Sequence, residues 1–366
     1  MTASPIIDAG LADLAVLPDW SSPMPSPSMP LTHLTALAGA HGIYEHALGD
    51  RPRVEHGYCT DDAARVLAVL VREPRPTDPA ERRQREQLIE LSLSFLERAV
   101  VRGGRVHNRM SADGMWTDRP TIGDWWGRAV YGAGVAARHG SDERVRARAL
   151  RVFLRAAAGS SPDVRACAFA AIGAADVLVA HPGATAARRV LIECLGRIPR
   201  PEDGGVLWPE QRLRYANGAL CTALITGGDA LGWQDTTDDG LTMLRTLLDL
   251  ETGRSGLLAF VGPGGEDRDD GRRTGDQQPI EPAAIAEACL SALVSTGDRH
   301  WAQEAIRVWG WFVGRNDAGT AMFDPDTGAG YDGLEQAGRN ENRGAESTLA
   351  VLGAHRSARL AGGWLT

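Results

Sequence analysis

Two kinds of helix alternate along this chain, and the alternation restricts the fold more than any single motif. Periodicity with Gly, Pro and Asp punctuation predicts helices near 31–48, 60–73, 79–101, 123–139, 141–158, 162–180, 183–197, 214–231, 236–251, 281–296, 299–315 and 341–361. The odd members carry charged faces, as in Glu81-Arg82-Arg83-Gln84-Arg85-Glu86 and Asp142-Glu143-Arg144-Val145-Arg146-Ala147-Arg148. The even members are Ala/Gly/Leu-rich nearly all round, as in Ala129-Val130-Tyr131-Gly132-Ala133-Gly134-Val135 and Ala216-Asn217-Gly218-Ala219-Leu220-Cys221-Thr222-Ala223. A helix that is apolar on every side is buried, and an amphipathic one covers it. Six outer–inner pairs make an all-α (α/α)6 toroid; an irregular bundle or solenoid is the alternative for the same helix count. The expectation is one toroid domain over 31–366, the even helices innermost, preceded by a Pro/Ser-rich segment over 1–30.

The longer connections fall before even-numbered helices and hold the aromatic and turn-rich sequence. They include Arg105 to Trp116, Gly205 to Glu210, Ser255 to Phe260 and Met322 to Gly333. Short strand-like pieces there would decorate the face where the inner helices begin. The glycine- and acid-rich stretch from Gly262 to Gln277 reads as a mobile flap.

Composition removes whole classes of chemistry. All 39 basic residues are arginine, so Schiff-base chemistry and a Walker-type phosphate loop, which need a lysine amine, are excluded. The nine histidines make no HExxH or other close pair, which argues against a zinc hydrolase. A formal charge of −8 argues against nucleic-acid and anionic-membrane surfaces, and no run of about twenty apolar residues spans a bilayer. Five scattered cysteines without a CxxC pair, and no basic-then-apolar leader pattern, lead us to expect a reduced, cytoplasmic protein. Carboxylates are what remain for catalysis.

Those carboxylates cluster where the even helices start. Asp61 and Asp62 open the second helix beside His56 and Tyr58. One cap suffices for a helix, so the second carboxylate is free for other work, and the helix N-terminus suits a base or nucleophile. Asp124 opens the fourth helix before Trp125 and Trp126, with Arg128 one turn on. A carboxyl wedged against indoles would be held protonated, and paired indoles stack on sugar rings, whereas Arg128 would pull the same carboxyl down. Tyr215 and Asn217, after Trp208, are polar groups on an Ala/Leu helix and need partners, as does Arg165. Glu281, with Gln278 before it and Pro282 after it, sits near the start of the tenth helix. Asn340, Asn342 and Glu346 crowd the twelfth, where Glu346 precedes a pure core run and so is expected to face inward.

These segments resemble the six-hairpin (α/α)6 glycosidase superfamily and, more narrowly, bacterial glycosyltransferase-associated or glycosyl-hydrolase-like proteins. The resemblance rests on His56-Gly57-Tyr58-Cys59-Thr60-Asp61-Asp62, Asp124 through Arg128, Asp276-Gln277-Gln278-Pro279-Ile280-Glu281 and Asn340-Glu341-Asn342-Arg343-Gly344-Ala345-Glu346-Ser347-Thr348, within residues 31 to 360. It implies a carbohydrate-active enzyme acting on a short saccharide. Unsaturated-uronyl hydrolases of this superfamily use two aspartates on adjacent inner helices at a spacing similar to that of Asp61/Asp62 and Asp124, which implies catalytic work at these positions. The expected chemistry is inverting glycoside hydrolysis, with Asp124 as acid, Asp61 or Asp62 as base, and Glu281 with Glu346 as the alternative pair. Two rivals stand beside it. One is a class II terpene-cyclase-like isomerase, suggested by Thr60-Asp61-Asp62 but opposed by only six phenylalanines. The other is a non-catalytic saccharide-binding partner of a glycosyltransferase. No cofactor is implied, and no metal site is assigned, because Asp61, Asp62 and Glu346 would supply carboxylates alone.

Overall fold

Close backbone approach sets the spacing of the inner helices in the computed structural model, which describes residues 25–365 apart from 202–207, 254, 261, 263–265, 268–275 and 337. The inner ring consists of α2 (Thr60–Leu70), α4 (Asp124–His139), α6 (Val164–Ala180), α8 (Gly218–Leu231), α10 (Ile280–Thr296) and α12 (Ala345–Gly362). Each packs on the next, and α12 returns to α2, closing the circle. A Cβ on Gly127 would lie 2.2 Å from the carbonyl oxygen of Ala166, and one on Gly134 would lie 2.2 Å from that of Gly173. Glycine therefore allows α4 and α6 to touch backbone to backbone.

The amphipathic helices α3 (Pro79–Ala99), α5 (Glu143–Ala156), α7 (Thr185–Leu195), α9 (Gln234–Leu250) and α11 (Arg299–Phe312) cover the ring from outside. The sixth outer position is held by the short α1 (Thr32–Ala36) against α12. All-α (α/α)6 architecture with even helices innermost is thus the observed fold. The buried apolar side chains form one continuous core, with Trp126, Trp301, Trp311 and Phe153 among the largest fully enclosed.

Three helix starts or lengths depart from expectation, each for a local reason. The helix expected over 31–48 ends after Ala36, because the chain turns at Gly39 and Gly42 across the Tyr44–Tyr58 stack. α8 begins at Gly218, four residues late, because Ala216 takes a left-handed φ of 50°. α12 begins at Ala345, because Asp332 holds the approach: its amide donates to the Asn342 carbonyl at 2.9 Å and its carboxylate accepts from the Gly344 amide at 2.7 Å.

Among the described residues, four antiparallel two-stranded ladders occupy segments that lead into inner helices. They are β1 (Ala47–Leu48) with β2 (Arg51–Pro52), β3 (Tyr58–Cys59) with β4 (Arg109–Met110), β5 (Arg212–Leu213) with β6 (Glu266–Asp267), and β7 (Gly333–Glu335) with β8 (Gly338–Asn340). They edge the mouth where the inner helices begin, as expected. Most of the anticipated flap at 262–277, the piece at 205–207 and residues 1–24 lie outside the described residues. From Pro25 the N-terminal segment is docked: the Ser26 carbonyl lies 2.8 Å from His355 Nε2 on α12.

Candidate active site

The twin aspartates of α2 have opposite fates. Neither caps the helix, because Cys59 does, its sulfur accepting from the Asp62 amide at 3.5 Å. Successive helical residues point about 100° apart, so the two carboxylates diverge. Asp62 is 1% exposed and accepts from Cys59 Sγ at 3.1 Å and Arg65 Nη1 at 2.7 Å. Asp61 is half-buried, and its enclosed Oδ1 has no hydrogen-bond partner among the described residues. Burial pushes its pKa up to about 6, with Arg65 and Arg128 pulling the other way and Asp124 and Asp62 adding to the rise.

Asp124 opens α4 on the neighbouring inner helix. Its Oδ2 accepts from the Tyr215 hydroxyl at 2.6 Å, and its buried Oδ1 has no partner among the described residues. Arg128, four residues on and on the same face, is 4% exposed and sits 3.4 Å from the centroid of the Phe169 ring. It forms no ion pair among the described residues, and its Nε is buried without a partner. Desolvation, then Arg65, push the Arg128 pKa down, while Asp124 and Asp61 push it back up. Arg65 bridges Asp62 to Glu346, whose side chain is 41% exposed at the start of α12. Arg65, Arg128 and Glu346 line a cavity of about 80 Å3 that runs inward along the barrel axis.

A second polar cluster lies at the same mouth, across α6, α8 and α10. Arg165 donates to Glu210 at 3.1 and 2.8 Å, to Asn217 Oδ1 at 2.9 Å and to the Tyr215 carbonyl at 2.8 Å. Glu281 is 2% exposed and accepts from the Ala216 amide, the Asn217 amide at 3.2 Å and Asn217 Nδ2 at 3.1 Å. Burial pushes its pKa up to about 7 against those bonds. Ala216 is the one non-glycine among the described residues with positive φ, a conformation that costs about 1–3 kcal/mol unless its surroundings enforce it. The carboxylate of Glu281 enforces it, and the turn so made delivers Tyr215 to Asp124.

Asp61, Asp124, Arg128, Tyr215 and Glu346 are therefore placed at one mouth as the sequence suggested, but other expected site residues have structural employment. Asp62 is consumed by its ion pair, and Glu281 and Asn217 by the α8 turn. The expectation that both indoles stack on sugar is corrected for Trp126, which is buried, whereas Trp125 is half-buried. Trp126 is 1% exposed and donates to the Ala156 carbonyl at 2.9 Å; Trp125 donates to the Val106 carbonyl at 2.9 Å. Trp125 thus ties α4 to its approach loop and Trp126 ties it to the end of α5. Tyr58 is fully buried and stacked on Tyr44 at 4.6 Å, and Trp208 is buried in the core. His56 stands on the exposed rim, edge-on to His46. Asn342 accepts from the Gly49 amide at 3.0 Å, which ties the β1–β2 turn to the α12 approach, and Asn340 accepts from the Asn342 amide at 3.0 Å. The Gln278 carbonyl closes the turn onto the Glu281 amide at 3.1 Å. Arg65 is the residue that sequence reasoning passed over; its signal was the three- and four-residue spacing from the two aspartates. Among the described residues no group of three His, Cys, Asp or Glu side chains is placed to hold a metal ion.

No protein-family model matches the chain, and no curated protein does. Solved structures do. A sugar epimerase from a ruminal bacterium superposes with a TM-score of 0.65 at 13% identity, over 89% of this chain and 95% of its own. The cellobiose 2-epimerase of Spirochaeta thermophila gives 0.64 at 12% identity, over 91% and 94%. An α-1,6-mannanase of Salegentibacter gives 0.59 at 11% identity, over 90% and 96%; it is an inactive variant with two adjacent aspartates changed to asparagine, in complex with a mannotriose. The chain shares the (α/α)6 toroid fold with these enzymes.

Proposed function

We propose that the protein is a carbohydrate-active enzyme, a glycoside hydrolase for a short saccharide, working at the mouth where the inner helices begin. One observation carries the reading. Asp61 and Asp124 start adjacent inner helices, and each keeps a buried carboxylate oxygen without a partner. Their settings differ, which is the condition for dividing acid from base.

Asp61, with its pKa raised to about 6, is the group that keeps a proton up to about pH 6 and delivers it to the leaving glycosidic oxygen. Asp124, which accepts from Tyr215 and opens α4 on the same face as Arg128, takes a proton from the attacking water. This reverses the acid and base roles expected from sequence. Water adds to the anomeric carbon as the glycosidic C–O bond breaks, and the two carboxyls exchange protonation states. A separation of roughly 6.5–9.5 Å between the carboxyls in the substrate complex would give inversion. The unpaired Arg128 supplies hydrogen-bond donors for substrate oxygens.

A second reading, sugar epimerisation, is favoured by the full-length likeness to the two epimerase structures. The same carboxylates would then remove and return a proton at carbon. The terpene-cyclase-like alternative has less support: four arginines and only Tyr131 and Phe169 as aromatics line the axial cavity, the reverse of a surface that stabilises a hydrocarbon cation.

Incubation with a panel of short oligosaccharides in D2O separates the readings. New reducing ends that disappear in Asp61→Asn and Asp124→Asn support hydrolysis. Solvent deuterium at a sugar carbon without new reducing ends replaces hydrolysis with epimerisation. Saccharide binding without either product makes the protein a binding partner, such as one serving a glycosyltransferase.

A further inference from the structure

The axial cavity extends away from the candidate active site. Its inner part is lined by Arg72, Tyr131, Glu287 and Arg356. Arg72, Glu287 and Arg356 also line a second cavity of about 340 Å3, which opens among Arg138, Val179, Asp229 and Val294, near the C-terminal ends of α4, α6, α8 and α10. This is the mouth opposite the candidate site.

Around this second mouth Arg72 and Arg138 are ion-paired, and Arg356 is the arginine of the lining without an ion pair among the described residues. Arg72 donates to Glu287 Oε1 at 2.5 Å and to the Tyr131 hydroxyl at 2.8 Å, and Tyr131 lies 3.1 Å from Glu287 Oε2. Arg138 holds Asp176 at 2.7 Å, with His139 at 3.5 Å from the same oxygen. Asp229 accepts from the Thr237 and Ser295 hydroxyls at 3.0 and 3.1 Å. Arg356, on α12, forms no ion pair among the described residues. Its Nε lies 3.5 Å from the Arg72 carbonyl oxygen, and its guanidinium faces both cavities. Burial, then the neighbouring Arg72, pull its pKa down to about 10. Glu287 and Glu73 lie near enough to oppose that shift, but Glu287 is already taken by Arg72 and Tyr131, so this half-buried cation beside a like charge lacks a direct partner among the described residues.

We propose that Arg356, backed by Arg72, binds the oxyanion of a small molecule that enters through the mouth opposite the candidate active site. Arginine suits this role because its planar fork presents paired N–H donors to phosphate or carboxylate oxygens and stays charged at any working pH. The cavity of about 340 Å3 has room for a phosphorylated or carboxylated small molecule as well as for the bare ion. The inference rests on charges at the far end of the barrel and does not depend on the reaction assigned to the near end.

The test uses the full chain at pH 7, with calorimetric titration and thermal melts in inorganic phosphate, glucose 6-phosphate and acetate against sodium chloride of equal ionic strength. At least one oxyanion is expected to bind saturably and raise the melting temperature. Arg356→Gln should weaken that binding at least tenfold, whereas Arg146→Gln, which removes an exposed arginine paired with Glu143, should leave it unchanged. Tightest binding by glucose 6-phosphate, by phosphate or by acetate names the source of the oxyanion. Arg356→Lys keeps the charge and should retain part of the affinity; it substitutes for the Gln variant if that one does not fold. No saturable binding by any of the three, or binding that Arg356→Gln leaves intact, overturns the proposal.

Discussion

Two polar clusters share the N-terminal mouth of this barrel, and they differ in whether their hydrogen bonds are complete. In the Arg165–Glu210–Asn217–Glu281 cluster, carboxylate, amide and guanidinium are bonded to one another and to the α8 backbone. In the Asp61–Asp124–Arg128 cluster, each member keeps a buried polar atom without a partner among the described residues. Buried polar groups are normally satisfied, so the first cluster is what a scaffold requires and the second is what a ligand would complete. The two meet at Tyr215, whose carbonyl is held by Arg165 and whose hydroxyl serves Asp124.

The comparison breaks most visibly at Glu281. Glu281→Ala should lower stability by about 3 kcal/mol, because it strands buried donors and releases the strained Ala216, and urea melts measure this. Asp61→Asn and Asp124→Asn should not lower stability as Glu281→Ala does but should cut turnover about a hundredfold, since the amide keeps the shape and cannot exchange the proton. A large loss of stability in either variant, with turnover retained, would assign that residue to the scaffold. Tyr215→Phe sharpens the boundary: losing the hydrogen bond to Asp124 should reduce turnover about tenfold and lower stability by about 1 kcal/mol, less than Glu281→Ala.

A pH dependence separates Asp61 from the scaffold as well. The folded-state pKa of Asp61, about 6, exceeds its ordinary 3.8, so the native state binds more protons between those values. The resulting stabilisation is present in full below about pH 4 and is lost as pH rises through 6. Glu281, near 7, titrates with the same sign, so the wild-type curve alone does not isolate Asp61. The difference in urea midpoint between wild type and Asp61→Asn should therefore fall from pH 4 to pH 7. A flat difference would mean that Asp61 titrates normally. If Asp61 is the acid, kcat/KM should decline above about pH 6 for the same reason.

Much of this architecture is written in local periodicity. Whether a helix is apolar all round or on one face depends on its own residues, so the alternation that sorts α2 to α12 into inner and outer rings is legible without coordinates. So is the gathering of carboxylates at inner-helix starts, because parallel inner helices bring those ends to one mouth. What each polar group does there is not legible. Asp61 and Asp62 are identical and adjacent, yet Arg65 and Cys59 take one and leave the other, an outcome set by about 100° of helical rotation. Trp125 and Trp126 look alike in the sequence, yet the fold buries Trp126 against the end of α5 and leaves Trp125 half-buried. Ala216 carries no sequence mark of a left-handed turn; a glutamate 65 residues away imposes it. Periodicity is a property of the segment and therefore of the sequence, whereas hydrogen-bond satisfaction belongs to pairs of segments and exists only once the ring has closed.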